Sequence, residues 1–450
     1  MNRWLAEYAW LPEHAEPTPD VLIETDGGRI TAIAPLTAGG RPAAGVEVLT
    51  DAVRLPGLTL PGLANAHSHA FHRALRGRTH GGRGDFWSWR DGMYEVAARL
   101  DPDSYLALAR ATYAEMALAG ITCVGEFHYL HHGPDGRPYD DPNAMSAALV
   151  EAAAQAGVRL TLLDACYLTA TVDGEPLAGP QRRFGDGDAA RWAERVGAFR
   201  PENDHARVGA AIHSVRAVPA EQLATVANLA ERAGVPLHVH LSEQPAENDA
   251  CRAVHGCTPT RLLADHGALG RHTTAVHATH PTGADLALLG ESRTGVCLCP
   301  TTERDLADGI GPARRMAEAG SPLSLGSDSH AVVDLFEEAR AVELDERLRT
   351  RRRGHFSPVE LLTAATVAGH TALGWADAGR LAVGDRADLV TVRLDSARTA
   401  GVPPVGAFFA ATAADVSHVV VDGRPVVAEG RHLTVDVPAE LRTSIERVTA

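Results

Sequence analysis

The sequence predicts a (β/α)8 barrel, TIM-like, that carries a small β-sandwich domain built from both ends of the chain. Three observations lead there. Apolar strand-like runs alternate with alanine- and leucine-rich stretches through the middle of the 450 residues, hairpin-textured β segments occupy both ends, and several central runs finish in His or Asp. An open doubly wound sheet is the alternative, but no Gly-X-Gly-X-X-Gly phosphate turn follows the first central run.

The N-terminal segments are Val21-Leu-Ile-Glu-Thr and Arg29-Ile-Thr-Ala-Ile around Asp26-Gly27-Gly28. The same texture returns in Ala387-Asp388-Leu-Val-Thr-Val-Arg393 and Val416-Ser-His-Val-Val-Val-Asp422-Gly423. Asp-Gly between apolar runs is a hairpin signal, so these segments are read as one sheet domain. Barrel strands are expected at residues 58–66, 122–127, 158–166, 208–214, 236–240, 273–277, 295–299 and 323–327. Helices are expected at 103–119, 143–156, 220–233 and 332–348. The domains then divide as 1–57 and 378–450 for the β domain and 58–377 for the barrel.

Composition narrows the functional class. With 45% hydrophobic and 22% charged residues the chain has the make-up of a soluble globular protein. The start, Met-Asn-Arg-Trp-Leu-Ala-Glu, has no basic segment followed by an apolar one, and no run is long enough to span a bilayer, so a cytoplasmic location is expected. Six cysteines are too few for a disulfide scaffold, and buried thiols are expected instead. A net charge of -15 argues against nucleic acid as a partner. All 42 basic residues are arginine, which excludes Schiff-base, P-loop and carbamylated-lysine mechanisms. Any strong anion clamp would be arginine, whose planar fork suits carboxylates.

In a barrel, functional residues lie at the C-terminal ends of strands. The first run ends in His67-Ser-His69, the fifth contains His238-Val-His240-Leu-Ser-Glu243, the sixth ends in His277 and the eighth leads into Ser327-Asp328. Alternate residues of a strand share a face, so His67 and His69 would point into one space. Three imidazoles and a carboxylate suit one zinc or a similar divalent ion, with a position left open for a water whose pKa the ion lowers. Each residue has a plainer reading. His238 lies one layer deeper than His240, Asp328 could be a helix N-cap, and His131, His132, His280 and His330 could be surface or supporting groups. Glu243 just beyond a ligand strand is placed to shuttle protons. Gly77, Gly81, Gly82 and Gly84 make residues 77–92 a candidate lid, with a static loop as the alternative.

Pro61-Gly-Leu-Ala-Asn-Ala-His67-Ser-His69, His240, Glu243, His277 and Ser327-Asp328 resemble the amidohydrolase superfamily over nearly the whole chain. The segment Gly379-Arg-Leu-Ala-Val-Gly-Asp-Arg-Ala-Asp388-Leu-Val resembles that superfamily's return into its β domain, and the lack of lysine points to the mononuclear deaminase-like branch. Narrower features are His67-Ser-His-Ala-Phe-His72-Arg-Ala, Phe86-Trp-Ser-Trp-Arg90, Glu126-Phe-His-Tyr129, His213-Ser-Val-Arg216-Ala-Val and Cys299-Pro-Thr-Thr-Glu303. These resemble the family of deiminases that convert N-formimino-L-glutamate and water to N-formyl-L-glutamate and ammonia in histidine degradation.

The resemblance implies a zinc ion on His67, His69, His240 and Asp328, with Glu243, His277 and Asp328 as the catalytic groups. It also implies His72, Arg90, Tyr129 and Arg216 around the substrate's carboxylates, with His72 standing where the family pattern has glutamine. The expected partners are a small dicarboxylate substrate and a second copy of the chain in a homodimer, with no membrane. Two rival readings are a deaminase of the same branch acting on a purine or related ring, and a metal-binding scaffold without catalysis. The complete proton-handling set argues against the scaffold.

Overall fold

The computed structural model describes residues 1–12, 14–36, 51–79 and 86–450. The chain begins in the β domain with β1 (Asn2–Ala9), β2 (Thr18–Asp26), β3 (Arg29–Pro35) and β4 (Val53–Pro61). It then enters the barrel. The barrel strands are β5 (Leu63–Ser68), β6 (Ile121–His128), β7 (Arg159–Cys166), β8 (Ala206–Ile212), β9 (Leu237–Leu241), β10 (Thr273–His277), β11 (Gly295–Leu298) and β12 (Leu323–Leu325). The chain returns to the first sheet with β13 (Leu389–Val392), β14 (Val416–Val421), β15 (Arg424–Ala428) and β16 (Arg431–His432).

The eight barrel strands neighbour one another in chain order, and each resolved pairing between them is parallel. A parallel bridge between Ser68 and Asp328 joins the first strand to the residues just past the last. Every residue of β6 and β7 is buried, as expected of strands covered on both faces, and the few charged ones among them, Glu126, Arg159 and Asp164, are held by hydrogen bonds. Helices such as Pro102–Leu118, Ala144–Ala156 and Ala220–Ala233 cover the outside. The helix Pro102–Leu118 starts at a reciprocal capping box in which Asp101 and Ser104 satisfy each other's backbone N–H. All six cysteines are free thiols, and Cys297 and Cys299 pack with Ala66 and Val276 in a small apolar cluster.

The second sheet runs β16-β15-β14-β13-β4-β1-β2-β3, so strands from both ends meet at the β13–β4 pair and form the sandwich-like domain. The Asp-Gly hairpins at residues 26–29 and 421–424 join β2 to β3 and β14 to β15. The run expected as one strand at 58–66 is divided. Leu58 to Pro61 pair with β13 in the β domain, and the barrel begins only at Leu63. The hinge is Gly62, where a Cβ would lie 2.2 Å from Thr122 Oγ1 and 2.8 Å from Asp388 Cβ, so no larger residue fits the crossing. Among the described residues no helix is long and apolar enough to cross a membrane.

A buried charge cluster joins the two domains. Arg159, at the start of β7, is fully buried; its Nη2 donates to Asp422 Oδ1 at 2.6 Å and to Asp388 Oδ1 at 3.2 Å. The guanidinium groups of Arg159, Arg207 and Arg386 lie 5.0, 3.8 and 4.8 Å from the Trp375 ring centroid, each within cation–π range. Removing one partner leaves a buried charge uncompensated, which typically costs about 3–5 kcal/mol. Asp388→Ala is therefore expected to lower the free energy of unfolding by about 3 kcal/mol or more in urea titrations. A loss below about 1 kcal/mol would show that the cluster does not hold the domains together.

Candidate metal centre and active site

The C-terminal ends of β5, β9, β10 and the residues after β12 converge on one buried cluster. Ligand-type atoms of His67, His240, His277 and Asp328 all lie within 4.8 Å of one another, and a second such group combines His69, His72 and Asp328. Asp328 Oδ1 is 3.2 Å from His67 Nε2 and 3.3 Å from His69 Nε2. His240 Nε2 is 3.1 Å from His67 Nε2.

Local backbone geometry produces this convergence. His67 and His69 point inward because they alternate at the end of β5. His277 and Asp328 leave their strands with φ of 68° and 40°, a left-handed conformation that costs non-glycine residues free energy. The surrounding backbone holds Asp328 there: its N–H donates to the His67 carbonyl at 3.0 Å, and its own carbonyl accepts from His69 N at 3.3 Å. Gly326 allows the close packing, since a Cβ there would lie 2.8 Å from His67 Cβ and 2.9 Å from Cys299 Sγ. Beneath the turn, Glu126 accepts from Ser68 Oγ at 3.0 Å and Ala70 N at 2.8 Å, and burial pushes its carboxyl up to about 7. The helix Leu335–Thr350 is capped by Asp334, which leaves Asp328 free of the N-cap role.

The donor set fits a divalent cation. His69 Nδ1 is 2.8 Å from the Phe127 carbonyl and His240 Nδ1 is 2.9 Å from the His213 carbonyl, contacts that only an Nδ1–H can make. Both rings therefore present an Nε2 lone pair to the cluster. Burial lowers His67 to about 3 and holds His240 well below its ordinary value, so these rings are neutral, as ligands must be. Burial alone would raise Asp328, but the facing rings of His67 and His69 keep it well below the usual carboxylate range. Buried lone pairs and a carboxylate this close together are stabilised by a positive ion among them.

Beside the cluster sits an imidazole–carboxylate pair. His277 Nε2 is 3.7 Å from Glu243 Oε1 and 3.7 Å from Asp328 Oδ2. Its other nitrogen faces Glu303 Oε1 at 3.4 Å, and Glu303 is itself held by Cys299 N at 3.0 Å. Burial opposes charge on His277, yet Glu243, Glu303 and Asp328 hold it well above its ordinary value. Burial likewise keeps Glu243 above the ordinary carboxylate range.

These groups open onto a cavity of about 410 Å³. His72, Arg90, Tyr129 and Arg216 all line it. His72 Nε2 and Tyr129 OH are 2.8 Å apart, and burial keeps His72 well below its ordinary value, so this ring is neutral. Arg90 lies 5.5 Å from the Tyr94 ring centroid. Arg216 Nη1 donates to a phenol, Tyr167 OH, at 3.1 Å. Tyr94, Tyr167, Glu247 and His213 also line the cavity. Tyr167 directly follows β7, so a strand-end reading finds it, whereas Glu247 on the helix Pro245–His255 carries no such signal. Glu303 appears in the sequence only within a motif, and its contact with His277 arises across two strands. Of the candidate lid at 77–92, residues 80–85 lie outside the described residues.

His238, His280 and His330 meet protein partners. His238 Nε2 meets the Ala372 carbonyl at 2.9 Å, His280 Nε2 the Asp308 carbonyl at 2.7 Å, and His330 Nδ1 lies 3.1 Å from Ser327 Oγ. A separate group of His128, His131 and Asp164 has metal-like spacing. There Arg195 already donates to both Asp164 oxygens at 2.8 and 2.9 Å and Trp192 Nε1 donates at 3.0 Å, which makes it a structural ion pair.

Comparison with known proteins agrees with this geometry. A model described as the amidohydrolase family matches residues 58–426. The chain is 38% identical over 448 residues to a formimidoylglutamate deiminase of Pseudomonas aeruginosa, covering 96% of each. It is 31% identical over 422 residues to an 8-oxoguanine deaminase of the same species, covering 92% of this chain and 91% of that one. The crystal structure of an amidohydrolase from Brucella melitensis superposes with a TM-score of 0.90 at 32% identity, covering 100% of both chains.

The buried histidines carry a consequence for stability. Burial lowers His67 to about 3 and His131, His238 and His370 to about 4. Each is neutral when folded but takes up a proton below pH 6.5 when unfolded. Stability is therefore withdrawn as pH falls from 6.5 toward the folded values, at up to about 1.4 kcal/mol per pH unit per group. In chelator-treated protein the urea midpoint is expected to drop markedly between pH 7 and pH 5. A flat profile would show that these rings are protonated in the fold.

Proposed function

Because the chain belongs to the amidohydrolase family, we propose that it is a formimidoylglutamate deiminase, a metal-dependent hydrolase of an amidine C–N bond. The observation that carries the reading is one cavity with a cation-binding donor set and a proton-handling pair at its buried end, and Arg90 and Arg216 on its wall. N-Formimino-L-glutamate has the matching parts: an amidine to be hydrolysed and two carboxylates to be held. The catalytic barrel begins at Leu63 and runs to about residue 377 in this reading, with the chain up to Pro61 and residues 378–450 as the β domain beside it.

His67, His69, His240 and Asp328 would hold one divalent ion per chain, with zinc the best match to three imidazoles and a carboxylate. When bound, that ion supplies Lewis acidity and makes water nucleophilic near neutral pH. Glu243 is placed to take a proton from water as its oxygen adds to the formimino carbon. The adduct carries hydroxyl, amino and substituted-amino groups on one carbon. Glu243 then returns the proton to the nitrogen that departs as ammonia, because an unprotonated amide ion is too basic to leave, and takes up the hydroxyl proton as the formyl C=O forms. His277, kept positive by Glu243, Glu303 and Asp328, stabilises the charge that develops on oxygen, and Asp328 orients the attacking water.

At the other end, Arg216 is available to an anion. Burial pushes the neighbouring Glu247 up to about 7, so this carboxyl is only partly ionised at neutral pH and does not fully offset the guanidinium. Tyr129 and His72 add hydrogen-bonding capacity beside Arg90. The aromatic wall of Tyr94, Tyr129 and Tyr167 is the one feature that favours a ring-deaminating enzyme instead, but a neutral purine offers the half-buried Arg216 no counter-charge beyond that of Glu247.

Metal-loaded protein is expected to release ammonia from N-formimino-L-glutamate, to stop when treated with chelator, and to leave guanine and adenosine untouched. Release from a purine alone would overturn the substrate assignment. Glu243→Gln should keep its metal while kcat falls at least about 100-fold; near-normal turnover would remove Glu243 from the proton path. Arg216→Ala should raise KM for the dicarboxylate at least about tenfold, with a smaller change in kcat. An unchanged KM would show that the carboxylates bind elsewhere.

A further inference from the structure

Gln181 sits in the short 3-10 turn Gly179–Phe184, inside the long connection after β7, and is buried. Its Nε2 donates to Tyr94 OH at 3.0 Å and to Tyr167 OH at 3.2 Å. Tyr167 OH also accepts from Arg216 Nη1 at 3.1 Å. A phenol oxygen has one proton and accepts at most two hydrogen bonds. With both acceptor positions of Tyr167 occupied by nitrogen donors, its proton has to point away from Gln181 and Arg216. Tyr167 lines the cavity and its phenol also faces that of Tyr94 on the same wall, so the directions left to the proton are the cavity and the Tyr94 oxygen.

The turn is held rigidly. Arg183, two residues on, donates from Nε to the His132 carbonyl at 2.9 Å, from Nη2 to the Leu100 carbonyl at 2.6 Å, and from Nη1 to the Ala97 carbonyl. Its own carbonyl accepts from His131 N at 3.1 Å and His132 N at 2.9 Å. Gln181 is thus anchored between the helix that carries Arg90 and the loop after β6.

We propose that Gln181 is a positioning residue that turns the Tyr167 phenol proton into the cavity, making Tyr167 a specificity-determining donor to the substrate carboxylate bound by Arg216. The inference rests on the deiminase reading of the same cavity and adds two residues to it. A donor fixed before binding improves affinity because little side-chain freedom is lost when the anion arrives. Burial would raise the Tyr167 phenol, but Arg216 and the hydrogen bonds from Arg216 and Gln181 bring it below its ordinary value, which strengthens it as a donor.

The test uses metal-loaded enzyme with Tyr167→Phe, Gln181→Met and the double variant. Two readings are taken: steady-state kinetics on N-formimino-L-glutamate and calorimetric binding of N-formyl-L-glutamate. Phenylalanine keeps the ring, whose centroid lies 4.3 Å from that of His213, and removes only the hydroxyl. Tyr167→Phe is expected to raise both KM and Kd about tenfold with kcat within about threefold. Gln181→Met should act in the same direction alone but add less than twofold in the Tyr167→Phe background, because it works through that hydroxyl. A merely structural role for Gln181 would instead lower kcat and persist undiminished in the double variant. KM and Kd within twofold of wild type for Tyr167→Phe would overturn the proposal. If wild type binds N-formyl-L-glutamate, and Tyr167→Phe weakens that binding, without turnover of the formimino substrate, the donor site stands and the deiminase reading falls. If wild type binds no dicarboxylate, both fall.

Discussion

The closure of the barrel between its first strand and the residues after its last is the interaction on which the site depends. Asp328 N–H bonds the His67 carbonyl and His69 N–H bonds the Asp328 carbonyl, so the seam is made by the backbone of residues whose side chains form the cluster. Strand pairing distances are set by the peptide hydrogen bond, which fixes how far apart the side chains of the two edges can be. Closing the sheet therefore brings a carboxylate against two imidazoles without any separate device. The positive φ at Asp328 is sustained by the same seam, since a free chain would relax it.

Burial then decides the charges. Away from water, the imidazoles of His67 and His240 stay neutral, with lone pairs to offer a cation, while His277 stays charged because three carboxylates face it. One residue type plays two parts, and the neighbours alone separate them. The same logic works at the outer part of the cavity. Arg216 meets a phenol and a partly ionised carboxyl, so its charge remains for an anion. A chain of net charge -15 can attract a dicarboxylate only through such a local reversal of sign.

Several features were legible in the residues themselves. Seven of the eight expected barrel strands coincide with observed ones to within a few residues, because strands buried on both faces must be apolar along their length. The exception, 58–66, is divided at Gly62. Its apolar pattern continues unbroken while the chain changes sheets, so periodicity has nothing to report there. The histidines and Asp328 were findable because strand ends are where a barrel exposes side chains. Gln181, Glu247 and the role of Glu303 were not. They come from loop and helix positions whose partners lie on other strands, and no local spacing encodes such contacts.

The sequence by itself determined the element order, the joining of both ends into one sheet, the ligand-type residues and the reliance on arginine. These follow from periodicity, turn chemistry and residue identity, all of which are local. Only the tertiary structure decided which histidines are neutral, which carboxylates share the site with His277, and which groups surround the Tyr167 phenol. Those properties depend on desolvation and on distances of about 3 Å between groups far apart in the chain, and such distances exist only after the barrel closes.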